Sequence, residues 1–175
     1  MAKERSFVPG YLIIGLLYRD QEVLAQVLKE LEQHYGPIAE HSESGVFTPT
    51  SYYNEELGGV PQRLFVRFAE LVDPSTIAAI KRESNSIEDR WSLDDGRRQI
   101  NIDPGILSLN SVILATAKGR THRVPLSQGI WADLTLHWCK GEFIPLEWTY
   151  ADYRDSATRA LFTRWRETLK QELTE

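Results

Sequence analysis

The run Tyr11-Leu-Ile-Ile-Gly-Leu-Leu-Tyr18 constrains the fold more than any other segment. It is apolar without alternation, so it reads as a strand buried on both faces. It is too short to span a bilayer and is interrupted by Gly15. A strand covered on both sides needs a sheet with material packed on each face. A chain of 175 residues can supply that as one domain, residues 1–175, around one core.

The flanking segments supply the covering elements. Asp20 can cap a helix whose apolar face is Val23, Leu24, Val27, Leu28 and Leu31, and Gly36-Pro37 stops it. Residues 38–46 read as a strand. Residues 47–61, with Pro49, Gly58, Gly59 and Pro61, read as a loop long enough to be functional. A strand follows in which Leu64, Val66 and Phe68 alternate with Arg63 and Arg67. Asp73-Pro74 then opens a helix with Ile77, Ile80, Ser84, Ile87 and Trp91 along one side. Residues 97–103 read as a strand ended by Pro104-Gly105. The order strand, helix, strand, strand, helix, strand is the split βαβ, ferredoxin-like order.

Three more strands are expected, over 111–118, 130–139 and 142–148. The second has the clearest period-two pattern, with Ile130, Ala132, Leu134, Leu136 and Trp138 on one face. A three-residue loop Cys139-Lys140-Gly141 would pair Leu136 with Ile144 and Leu134 with Leu146. Ala157, Leu161, Trp165, Leu169 and Leu173 mark a C-terminal helix that covers the sheet. The expected fold is therefore α+β: a mainly antiparallel sheet with a ferredoxin-like N-terminal part, an added β-hairpin and a C-terminal helix.

A net charge of −5 argues against non-specific nucleic-acid binding, which depends on many cations neutralising phosphates. The charge is uneven, however. Residues 20–56 are mostly acidic, while Lys118, Arg120, His122 and Arg123 form a basic cluster. With one cysteine, Cys139, no internal disulfide can form. No signal-peptide cleavage pattern follows the first apolar run. These features fit a cytoplasmic protein with no membrane association.

The chain contains no P-loop, no Gly-x-Gly-x-x-Gly fingerprint, no Gly-x-Ser-x-Gly elbow and no Cys-x-x-Cys pair. Four constellations remain. In Arg97-Arg-Gln-Ile-Asn-Ile-Asp-Pro-Gly105, strand alternation puts Gln99, Asn101 and Asp103 on one face. Asp103 could then act as a general base or cation ligand. Taken alone, Asp103-Pro104-Gly105 favours ordinary turn chemistry. In Thr116-Ala-Lys-Gly-Arg-Thr-His-Arg123, Lys118 and Arg123 could hold a phosphate or carboxylate and His122 could carry a proton, or the segment is a solvated turn. Lys81, Asn85 and Glu88 share a helix face that reads best as solvent-facing. His137 and Cys139 lack the further ligands a metal needs. Two aromatic segments add options. In residues 48–56, Tyr52 and Tyr53 could pack on a planar ligand while Glu55 or Glu56 binds a cation, or the two tyrosines anchor the loop to the core. Trp148-Thr-Tyr-Ala-Asp-Tyr153 could pack at a strand-to-helix corner or rim a site.

The Asn101-Ile-Asp-Pro-Gly105 string, with residues 48–58, Lys118, His122-Arg123, Gly129-Ile130 and Trp148-Thr-Tyr-Ala-Asp-Tyr153, resembles a bacterial family known as domain-of-unknown-function family 4416. The resemblance covers nearly the whole chain. It brings no established activity; some members carry a GTP-binding label, and this chain has no P-loop. It implies that Asn101, Asp103, Lys118, His122 and Arg123 belong to one site. The leading expectation is a domain that binds or acts on a small anionic, phosphorylated or nucleotide-like compound, with or without a divalent cation. Arg98, Lys118 and Arg123 would hold the anion, Asn101 would orient, and Asp103 and His122 would move protons. A regulatory or protein-interaction module is the alternative, and RNA binding a third reading.

Overall fold

The elements run β1 (Gly10–Tyr18), α1 (Gln21–Tyr35), β2 (Ile38–His41), β3 (Gly45–Val46), α2 (Tyr52–Glu56), β4 (Gln62–Val72), α3 (Ile77–Arg90), β5 (Ile100–Leu107), β6 (Ser111–Thr116), β7 (Val124–Pro125), β8 (Trp131–Cys139), β9 (Glu142–Pro145), α4 (Ala151–Arg154) and α5 (Ser156–Glu172). The computed structural model describes residues 3–50 and 52–174. Among these, nine strands form one antiparallel sheet in the order β2-β4-β1-β5-β6-β8-β7, with β3 on β4 and β9 on β8. The crossover through α1 joins β1 to β2 past β4. The crossover through α3 joins β4 to β5 past β1. Each crossover thus passes over one antiparallel strand, in the mainly antiparallel α+β sheet expected from the sequence.

Every residue of β1 is buried, as its unbroken apolar run requires. Leu12, Ile14, Leu16 and Tyr18 meet Val27 and Leu31 of α1 and Ile80 and Ile87 of α3. From the other face, Tyr11 and Ile13 join Phe162, Trp165 and Leu169 of α5. Leu17, near the strand end, packs with Phe47 and Leu57 of the 47–61 segment. The sheet is thus sandwiched between α1 and α3 on one side and α5 on the other. The Asp20 carboxylate caps α1 by accepting the Glu22 N–H at 2.7 Å.

Several expectations need correction. Residues 38–46 form two short strands, and the 47–61 loop contains α2. Asp103-Pro104-Gly105 is not a turn, because β5 runs through it to Leu107, with Asp103 opposite Gly15 and Pro104 opposite Ile14. The β8–β9 loop has two residues, Lys140 and Gly141, both at positive φ. Ile144 therefore faces His137 and Pro145 faces Leu136, one register step from expectation. A bulge also breaks the alternation of β8: Val112 pairs with Leu136 but Ile113 with Leu134, leaving Thr135 unmatched. Beyond that bulge Leu134 is exposed while Asp133 is buried.

Candidate functional site

The site begins where β5 and β6 separate. Their pairing ends at Gly105 opposite Leu114, beside Pro104, which has no N–H to extend a ladder. Gly105 lets the strands approach closely up to that point: a Cβ there would lie 2.7 Å from a Leu114 methyl and 2.9 Å from the Ile113 carbonyl oxygen. Past Pro104, two side chains of α3 satisfy the backbone of β5. Glu88 Oε1 accepts the Ile102 N–H at 2.7 Å, and Lys81 Nζ donates to the Ile102 carbonyl at 2.8 Å. Lys81 and Glu88 are both buried, and they occupy positions that a neighbouring strand would otherwise fill.

The separation leaves a cavity of about 530 Å³, within the usual range for small-molecule sites. Asn101 and Asp103 line it from β5, and Lys81, Asn85 and Glu88 from α3. The turn after β6 contributes Lys118, Arg120 and Arg123, and the 47–61 segment contributes Phe47 and Tyr53. Arg63, Arg98, Asp133, Tyr150, Asp152 and Tyr153 complete its polar wall. Of the residues singled out from sequence, Arg98, Asn101, Asp103, Lys118, Arg123 and Tyr53 therefore converge on one concavity.

Asp103 is the hub. Its Oδ2 accepts from Asn101 Nδ2 at 2.7 Å, and Arg63 Nη1 stands 4.0 Å from the same oxygen. Lys81 Nζ lies 3.7 Å from Oδ1. Asn101 also accepts from Arg98 Nη1 at 3.2 Å. Arg98 in turn bonds Glu88 Oε2 at 2.8 Å and pairs with Glu56 of α2, which ties the 47–61 segment to the site. Burial disfavours the Arg98 cation, but Glu88 and then Glu56 outweigh that effect and hold its proton more tightly than usual. Burial pushes the Glu88 carboxyl above the ordinary carboxylate range; Lys81 opposes the shift and Asp103 adds to it. Burial likewise raises the Tyr53 hydroxyl, with Asp103 as the next contribution.

Arg63 forms part of the floor. Its Nη2 lies 2.5 Å from Asp152 Oδ2. Burial disfavours the cation, but Asp152, Tyr153, Asp103 and Tyr53 together outweigh that effect. Among the described residues, Arg63 Nε and Nη1 and the Tyr153 hydroxyl make no hydrogen bond. Such groups in native proteins call for a water or another partner.

Arg123 organises the opposite wall. It donates to Asp133 Oδ2 at 2.8 Å, to the Lys118 carbonyl at 2.6 Å and to the Tyr150 hydroxyl at 2.7 Å. The β8 bulge makes this possible by leaving Asp133 buried on the site side. The Trp148–Tyr153 segment acts both as packing and as rim. Thr149 bridges Leu146 N–H and the Thr135 carbonyl, Tyr150 and Asp152 face the cavity, and Tyr153 is buried under it.

His122 stands apart from the cavity lining. Its ring stacks on Trp148 at 4.8 Å, and Nε2 lies 3.3 Å from Asp133 Oδ2. It therefore contacts the site through Asp133. The Tyr52 and Glu55 side chains lie outside those described. Among the described residues no group of three or more His, Cys, Asp or Glu side chains is placed to hold a metal ion. No helix there is long and apolar enough to cross a membrane.

Sequence reasoning missed the part played by α3. Lys81, Asn85 and Glu88 face the site rather than solvent. The available signal was their shared face, which pointed equally well to water. Arg63 and Asp133 read as outward residues of alternating strands. No sequence feature marked the bulge that turns Asp133 inward.

No curated protein and no solved structure matches the chain. The model of one family, described as Domain of unknown function (DUF4416), matches residues 8–169. That match spans both sheet faces and every residue of the cavity wall, and the chain belongs to domain-of-unknown-function family 4416.

Proposed function

We propose that the chain is a cytoplasmic small-molecule protein that binds or acts on an anionic, phosphorylated or nucleotide-like compound in the cavity between β5 and β6. The observation that carries this reading is the convergence of Asn101, Asp103, Arg98, Lys118 and Arg123 on one concavity of ligand size. Six of its lining side chains are basic and four acidic, so a bound anion improves the balance of charge. Asp103 is a half-buried carboxylate that faces the cavity and is the candidate to receive a proton or a ligand N–H or O–H. A divalent cation at Asp103 would need further oxygens from the ligand and from water. His122 acts through Asp133 in this reading, as a positioning residue.

The test is thermal stability against nucleotides, phosphorylated metabolites and carboxylates, with the native chain, Asp103→Ala and Lys118→Ala. A ligand present at a hundred times its dissociation constant should add about 2.7 kcal/mol to the native chain. Both variants should lose that gain while remaining folded by circular dichroism. A gain that persists in both variants would move the site elsewhere, and no gain with any anion would sink the reading.

A second reading, a ferredoxin-like interaction module, draws on the exposed Val124 and Leu126 at edge strand β7, with Leu134 and Trp148 on the adjoining surface. Size-exclusion chromatography with light scattering would favour it if the native chain self-associates and Val124→Lys abolishes the association.

A further inference from the structure

The two ends of the cavity differ in chemistry. The inner end, between β5 and α3, offers hydrogen-bonding groups of both polarities. The Asp103 side chain retains 28% of its exposure, against 5% for the whole of Asn101. Among the described residues, Asn101 is the one hydrogen-bond donor to the four acceptor positions of the Asp103 carboxylate. Lys81 at 3.7 Å is too far to fill another. Asp103 therefore presents unfilled acceptor capacity to the cavity, which suits ligand hydroxyls or amines. That end has little to stack on. The Phe47 ring has the Arg63 guanidinium over it at 5.2 Å and Tyr53 edge-on at 5.8 Å.

The outer end is cationic. Four basic groups of the wall face acids: Arg63 faces Asp152, Arg123 faces Asp133, Arg98 faces Glu88 and Glu56, and Lys81 faces Glu88 and Asp103. Arg120 differs. It lines the cavity, is exposed, and among the described residues its guanidinium makes no hydrogen bond or ion pair. Its turn is nonetheless held in place. The buried Arg123 grips the Lys118 carbonyl at 2.6 Å, the Arg123 N–H bonds the Arg120 carbonyl at 3.0 Å, and Gly119 lies flat on Trp131, where a Cβ would sit 3.1 Å from the indole. A guanidinium with no acid partner, carried by a held turn at a cavity mouth, suits a phosphate.

We infer that the occupant is a small polyhydroxylated phosphomonoester of the sugar- or polyol-phosphate class. Its phosphate sits on the turn at Arg120, and its hydroxyls donate to Asp103 and accept from Asn101 or Lys81. This rests on the anion-binding reading above and adds a second, hydroxyl-reading subsite to it.

The test is isothermal titration of the full chain with ribose 5-phosphate, glucose 6-phosphate, glycerol 3-phosphate, inorganic phosphate, ribose and adenosine monophosphate. At least one of the three hydroxylated phosphates should bind tenfold or more tightly than inorganic phosphate, with ribose weaker than both. Arg120→Ala should weaken that compound and inorganic phosphate alike, by about tenfold. Asp103→Asn should weaken the hydroxylated phosphate by about tenfold and leave inorganic phosphate unchanged; near-ultraviolet dichroism checks that both variants are folded. Equal affinity for inorganic phosphate and all three hydroxylated phosphates overturns the hydroxyl subsite but keeps the anion site. Tightest binding of adenosine monophosphate overturns it in favour of base recognition. Failure of every phosphate to bind removes both this inference and the reading beneath it.

Discussion

Glu88 shows how a single residue can serve the site at some expense to the fold. It is buried, accepts the Ile102 N–H, and lies between Lys81 and Arg98. Its carboxyl is nevertheless pushed above its ordinary value of 4.5, mainly by burial. The folded chain therefore holds this proton more tightly than the unfolded chain does. Stability is fullest below 4.5 and falls as pH rises through the raised folded value. Glu88→Gln, which resembles the protonated acid and keeps the acceptor for Ile102, should remove that fall. At neutral pH it should stay within about 1 kcal/mol of the native chain or exceed it. Glu88→Ala strands a buried N–H and should lose about 1–3 kcal/mol. Urea unfolding at several pH values checks both. An unchanged pH slope in Glu88→Gln would show that the carboxylate is stabilised where it stands.

At the scale of elements, the geometry of the site follows from the way β5 and β6 touch at Gly105 and then diverge. Gly105→Ala would put a Cβ 2.7 Å from Leu114 and 2.9 Å from the Ile113 backbone. The backbone cannot yield as a flexible side chain would, so the variant should lose about 1–3 kcal/mol in urea unfolding. A loss below that range would mean the strands can move apart freely. The periodic elements were readable in advance: β1 from its apolar run, α1, α3 and α5 from their stripes, and Asn101 and Asp103 on one face from alternation. The Asp-Pro-Gly string misled because these residue types usually make turns, yet an edge released by β6 accommodates Pro104 within a strand. The bulge at Thr135 was equally hidden. Its cause is the pairing of β8 with β6, a contact between distant segments that local sequence does not encode.

Across the whole molecule, the last helix closes on one of the first strands through Glu40. This β2 carboxylate accepts from Arg67 of β4 at 2.9 Å and from the indole N–H of Trp165 in α5 at 3.0 Å. It joins the sheet edge to the helix that covers the face bearing Asn101 and Asp103. Burial alone would raise its carboxyl, but the hydrogen bonds from Arg67 and Trp165 prevail and bring it below 4.5. The contribution to stability is therefore complete above 4.5 and disappears as pH falls through the lowered folded value. The side chain is about one-third exposed, so solvent screening limits its worth to about 1 kcal/mol. Glu40→Gln should lie below the native chain by that amount at pH 7, and the two stability curves should meet in acid. A constant gap at every pH would mean that Glu40 acts through shape rather than charge. A gap that closes in acid would show that the tie between the first strands and α5 is electrostatic and weakens before the apolar core beneath it.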